Sequence, residues 1–167
     1  MAAGSTYTPI ATTTLASAAA SYTFSSIPST YTDLVLISSA NVNTATANIT
    51  VRVGNGSVDT GTNYSNTFLY GTGSAAGSSR NSTANVMYLG AAGTGSEFST
   101  SIMSFQNYAN TTTYKSILSR FQWVSTTVYS TVGMWRSTSA INTISLISDG
   151  ANFNIGTTFT LYGIAAA

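Results

Sequence analysis

The sequence predicts an all-β fold: an antiparallel β-sandwich, jelly-roll-like, in a single domain over 1–167. Three observations predict it. Apolar residues recur with period two along almost the whole chain. Thr, Val, Ile, Tyr and Phe, which suit a pleated, half-buried surface, dominate those stretches. Glycine-bearing turn signals separate them at short intervals.

Taken in order, the first twenty residues read as an extended arm or an edge strand, with strand character over 7–15. Ala16 to Ala20 has helix-friendly alanines but no apolar stripe, so a turn or strand edge is expected there. Strands follow near 21–26 and 32–39, with Ile27-Pro28 closing the first of them. Ile49, Val51 and Val53 alternate with Thr50 and Arg52 in a strand at 47–53 that stops at Gly54-Asn55-Gly56. Further strands are expected at 64–70, 84–90 and 97–107, and the Gly/Ser stretch from Gly71 to Ser79 reads as a long mobile loop. Over 113–123, Ile117, Ser119, Phe121 and Trp123 alternate with Leu118, Arg120 and Gln122. Over 127–137, Val128, Ser130, Val132 and Met134 alternate with Tyr129, Thr131 and Trp135. Strands at 141–148 and 157–164 finish the chain, the last with Phe159 and Leu161 on one face and Thr158 and Thr160 on the other. About ten short strands with regular turns point to a sandwich, and the jelly roll is the commonest such design at this size.

Composition narrows the function. The chain has five Lys and Arg, four Asp and Glu, and neither His nor Cys. Ser and Thr fill 55 of its 167 positions. A typical domain devotes about a quarter of its residues to charge, so here water is met by hydroxyls and amides. Disorder is the competing reading of such a composition, but 43% hydrophobic and 11% aromatic residues supply a core. Arg52, Arg80, Lys115, Arg120 and Arg136 are scattered, which makes nucleic acid an unexpected partner. The longest aliphatic run, Leu34 to Ile37, is far short of the roughly 20 residues of a membrane helix. Met1-Ala2-Ala3-Gly4-Ser5 lacks the charged and apolar regions of a secretory signal. Without Cys there are no disulfides and no thiolate zinc sites. Strands this poor in charge are prone to edge pairing, and burying their edges in an oligomer is the expected remedy.

Catalytic chemistry finds few side chains to use. Asp33, Asp59, Glu97 and Asp149 show no spacing that pairs two carboxylates across a sugar, and they read as turn and strand-edge residues. The usual triads need His or Cys. A Ser–Lys dyad would need Lys115, which lies mid-strand without the S-x-x-K signature. Asp59-Thr60-Gly61-Thr62-Asn63 has calcium-like oxygen spacing but too few acids, so a solvated turn is expected. Gly71-Thr72-Gly73 lacks the third glycine of a dinucleotide loop. The expectation is a non-enzyme with no cofactor and no metal. Five N-x-S/T sequons, at Asn48, Asn55, Asn63, Asn81 and Asn110, are close to what this composition gives by chance. Aromatics remain as contact candidates: Trp135 with Arg136, and Tyr114, for a glycan or a protein partner. The competing reading places Trp123 and Trp135 in the core of adjacent strands.

Several stretches in order resemble virion structural proteins of tailed bacteriophages, including those of cyanobacteria. They are Tyr7-Thr8-Pro9-Ile10; Ser21-Tyr22-Thr23-Phe24 through Ile27-Pro28 to Tyr31-Thr32-Asp33-Leu34-Val35-Leu36; Gly61-Thr62-Asn63-Tyr64-Ser65; and Leu69-Tyr70-Gly71 with Ser79-Arg80. Asn110 to Lys115, Gly133-Met134-Trp135-Arg136, Ala140 to Ile144 and Phe159 to Ile164 continue the likeness, which spans nearly the whole chain. The resemblance implies a trimeric β-sandwich and offers no catalytic residues. It implies a capsid decoration, or cement, protein that binds the outer surface of the head and stabilises the lattice of the major capsid protein. The alternative it implies is the receptor-binding tip of a tail fibre or tailspike that recognises host cell-surface glycan. A chain of this length fits the decoration protein better. The expected partners are therefore two further copies of the chain, the major capsid protein and, in the alternative, host glycan; no membrane is expected.

Overall fold

A computed structural model describes residues 6–44, 47–123 and 126–165. Among the described residues the regular structure is all β, with no helix. The strands are β1 (Tyr7–Thr14), β2 (Ser21–Phe24), β3 (Asp33–Val42), β4 (Ala47–Asn55), β5 (Ser57–Val58), β6 (Tyr64–Gly71) and β7 (Ala76–Ala84). They continue with β8 (Met87–Thr94), β9 (Ser99–Phe105), β10 (Lys115–Trp123), β11 (Thr127–Trp135), β12 (Thr143–Ser148) and β13 (Thr158–Ile164).

Pairing divides them into two antiparallel ladders. One runs β1-β13-β3-β9-β10-β11-β6-β7. The other runs β2-β12-β4-β8, with the short β5 beside β4. They join where Asn41 and Val42 of β3 run parallel to Gly93 and Thr94 of β8. Apart from β5–β7 and β10–β11, the strands pair as two sets of four, β1-β13-β3-β9 and β2-β12-β4-β8.

The two ladders share one core. Ile49, Val51 and Val53 of β4 and Ile144 and Leu146 of β12 are buried on one side; Leu34, Leu36, Met103, Phe105, Ile117, Phe159 and Leu161 are buried on the other. Strand β8 lies across the inner face of β9–β11. The Ser119 hydroxyl donates to the Leu89 carbonyl, and the Ala91 amide donates to Ser101 Oγ at 3.4 Å. The approach is close at Gly133, where a Cβ would fall 2.8 Å from Met87 Sδ and 3.2 Å from Leu89 Cδ2 and those side chains would have to shift.

The N-terminal segment is an edge strand: β1 borders β13, with a register shift between Pro9 and Ala11. The stretch expected to be a long mobile loop, 71–79, is instead a hairpin. Thr72 N donates to Ala75 O at 2.9 Å, Gly73 takes φ 85°, and β7 pairs with β6 from Ala76 to Ala84. The reason for the miss is physical. All of β7 except Gly77 and Ala84 is exposed, so the backbone ladder holds it and no apolar alternation marks it. The strand expected at 84–90 lies at Met87–Thr94 and takes in Gly90-Ala91-Ala92-Gly93, small residues that let it cross the facing ladder. Glu97 sits in the turn before β9 and does not begin a strand.

At the junction of the ladders one amide holds several segments. Asn41 is 2% exposed. Its Nδ2 donates to Gly95 O at 3.1 Å and to Glu97 O at 2.5 Å, and its backbone N donates to Thr157 Oγ1 at 3.2 Å. Asn154 N donates to Asn41 O at 2.8 Å, and Asn154 Nδ2 reaches Asn41 Oδ1. Removing a buried partner costs the desolvation of whatever it leaves unpaired. Asn41→Leu, which keeps the volume, is therefore expected to destabilise the chain by about 3 kcal/mol, read as a lower midpoint in urea unfolding. An unchanged midpoint would show that the junction is held by the ladders alone.

Candidate functional site

The three contact residues expected from the sequence do not converge on one surface. Trp135 ends β11 on its inward face and is 3% exposed. Its Nε1 donates to Asp59 Oδ2 at 2.8 Å. Arg136 follows it and fastens backbone: Nη2 donates to Thr62 O at 2.7 Å and Tyr64 O at 3.0 Å, and Nη1 to Ser82 O at 3.1 Å. Both residues tie the 59–64 segment and the end of β7 to β11. Tyr114, just before β10, is exposed.

The calcium-like turn is built around hydrogen bonds. Asp59 accepts from Gly61 N at 2.8 Å, from Asn63 Nδ2 at 2.8 Å and from the Trp135 indole. Burial pushes this carboxyl up, but the bonds from Trp135, Asn63 and Gly61 outweigh it and hold Asp59 below the usual 3.8. Beside it, the buried Tyr64 hydroxyl lies 2.9 Å from Val53 O and 2.8 Å from Asp59 O and accepts from Val53 N at 3.2 Å. Burial pushes the phenol up to about 12.

Lys115 is buried on the inner face, with Nζ donating to Thr113 O at 2.7 Å and Thr138 O at 3.2 Å. Burial holds its amine below the ordinary lysine value. The amine therefore meets backbone carbonyls, and no Ser–Lys bond forms among the described residues. Asp33 accepts from Asn107 N at 2.6 Å. Among the described residues, no three His, Cys, Asp or Glu side chains group as metal ligands.

Two surfaces remain on the β10–β11–β6 end of the large ladder. On its outer face Leu118 lies opposite Val132, and Val132 opposite Thr67, which pairs with Arg80. In the next row Ile102, Arg120, Ser130 and Leu69 follow one another across β9, β10, β11 and β6. Leu69, Leu118, Val128 and Val132 are 61%, 47%, 66% and 41% exposed, and Ile102 and Met134 each 37%. Among the described residues the face is apolar and hydroxylated, with arginines as its charges.

On the inner face, Phe121, Tyr129 and Tyr70 stand in one cross-strand row. Phe121 and Tyr129 stack at 4.7 Å and 5°. With Phe68, Trp123, Tyr88 and Asn48 they line a cleft of about 300 Å³. Sequence alternation had placed Phe121 with Trp123 on one side of β10. It did not reveal that Ile117 and Phe121 on this side are buried while Trp123, at the strand end, is half-buried against the cleft. Nor did it reveal that Val128, Val132 and Met134 face outward, with Thr131, Gly133 and Trp135 buried beneath them.

Compared with known proteins, the sequence matches no family model and no curated protein.

Asp59 is the clearest test of this geometry. Its folded-state pKa lies below the unfolded one, so its contribution is complete above pH 3.8 and is lost as pH falls through the lower folded value. Trp135→Phe removes one donor and brings the folded pKa back up. The variant should lose about 1 kcal/mol, at the low end for a bond to a half-exposed carboxylate. Its acid-unfolding midpoint, followed by circular dichroism, should move to higher pH.

Proposed function

We propose that this chain is a structural protein of a tailed-phage virion, a decoration protein that binds the outer surface of the head as a homotrimer and stabilises the major-capsid lattice. The observation that carries the reading is the outer face of β9–β10–β11–β6. Six large apolar side chains stand exposed there among Ser and Thr, with Arg120 and Arg80 as the charged groups. Isolated exposed apolar residues are ordinary, but a contiguous set on one sheet face marks a contact surface. The pairing of eight strands as two sets of four, which we read as a jelly roll, and the resemblance in sequence support the same assignment.

The mechanism is thermodynamic. A ligand that binds the assembled shell and not its free subunits stabilises the shell by mass action. Repeated over many trimers, contacts of modest strength resist internal pressure. Apolar and hydroxyl contacts carry the binding, because few ion pairs are available to it. The tail-tip alternative differs in stoichiometry: a decoration protein is present in proportion to the capsid subunits, a fibre tip in a handful of copies.

Three outcomes test the proposal. Heads lacking the chain should rupture at lower temperature and under milder osmotic shock than complete heads, and equal resistance sinks the reading. Replacing both Leu118 and Val132 by Ser should weaken sedimentation with such heads by about tenfold or more, since each loses the burial of a large side chain. Attachment of the natural chain should change little between low and high salt, because exposed charges are the contacts that salt screens.

A further inference from the structure

The cleft on the opposite, inner face is a separate feature, and it stands whether the chain sits on a head or a tail. We propose that it is a binding site for an uncharged carbohydrate ring. Its walls are Phe68, Phe121, Trp123 and Tyr129 from the large ladder and Asn48 and Tyr88 from the small one. Its volume, about 300 Å³, is at the lower end of small-molecule sites.

The chemistry of the lining selects the ligand. None of the six residues is charged, so neither an anion nor a cation finds a counter-ion there. Phe121 and Tyr129 spend a face on each other. Trp123 and Phe68 are tilted at 36° and 59° to Tyr129 and stack on no ring among the described residues. Both are half-buried in the cleft wall, where a ligand's apolar surface can meet them. Around them stand the Tyr88 and Tyr129 hydroxyls and the Asn48 amide, for which the described residues provide no hydrogen-bond partner. Directly cross-strand from Phe68, Thr131 is 3% exposed and its hydroxyl is also unpaired.

A purely apolar ligand would bury these polar groups unpaired, at a cost. A purely polar one would gain nothing from the rings. A neutral pyranose has C–H faces that lie against Trp and Phe and a rim of hydroxyls that can both donate and accept, and so matches both halves of the lining.

The chain's two tryptophans make the test direct. Trp135 lies in the core and Trp123 in the cleft, so their two indole N–H resonances report separately. Full-length chain is titrated with cellotetraose, maltotetraose, mannotetraose and chitotriose up to about 10 mM, a range that reaches millimolar affinity. At least one should move the Trp123 indole saturably and leave that of Trp135 in place. Trp123→Ala and Asn48→Ala should each weaken that binding by about tenfold, read from other cleft resonances. Asn48→Ala, which removes only an amide, keeps the test valid if the tryptophan variant unfolds. Tyr114→Ala should bind as the natural chain does. If no neutral sugar moves the Trp123 indole, the inference is overturned. It is equally overturned if tetramethylammonium occupies the cleft while the sugars do not, because the rings then serve a cation.

Discussion

Asn41 is the point on which the architecture turns. Two antiparallel ladders that share a core still need a fixed offset, and here that offset is set where β3 meets β8. The contact is short, two residues on each strand, and the apolar core beside it is non-directional. The buried amide supplies direction. It holds the β8–β9 turn through Gly95 and Glu97 and the approach to β13 through Asn154 and Thr157. An apolar side chain of the same size could fill that space but could not fix those segments. The position of β8 across β9–β11 follows from this offset. So does the cleft that Phe121, Trp123 and Tyr129 line together with Tyr88 and Asn48.

A chain with nine formal charges has little long-range electrostatics with which to organise itself. Hydrogen bonds to uncharged groups take that place. Tyr64, Asn41 and Ser119 each bind backbone from another segment, and Asn110 Oδ1 accepts from both Thr112 and Thr113 to close its own turn. Two of the rare ionisable groups serve the fold in the same manner. Asp59 and Lys115 end on donors and carbonyls of the protein itself, not facing a vacant cavity. The scarcity of charge therefore does more than thin out catalytic options: what ionisable chemistry exists is largely committed to structure.

The β10–β11–β6 end of the large ladder contributes to both surface features, the outer one with Ile102 of β9 and the inner one with Asn48 of β4 and Tyr88 of β8. Its outer face offers aliphatic side chains and hydroxyls, and its inner face offers stacked and open rings. Because side chains alternate along a strand, β10 contributes Leu118 and Arg120 to one surface and Phe121 and Trp123 to the other. Two contacts of different chemistry can thus be made by one hairpin without competing for the same residues.

The sequence by itself determined the fold class, most strand positions and the turns, because alternation and turn chemistry are local. It also made plain which side chains share a face, as with Ile49, Val51 and Val53, or Phe121 and Trp123. Which face was buried was decided only in three dimensions. On β11 the aliphatic set, Val128, Val132 and Met134, would be expected inside from hydropathy alone. Met87 and Leu89 instead pack against Gly133 on the buried side, and alternation along the strand then leaves those aliphatics on the outer face. Strand β7 was invisible for the related reason that a strand held by its backbone ladder leaves no apolar trace. Trp135 and Trp123, alike in the sequence, part company because one is buried in the core with Asp59 as its acceptor, and the other is half-buried and lines a cleft shared with Tyr88 of β8.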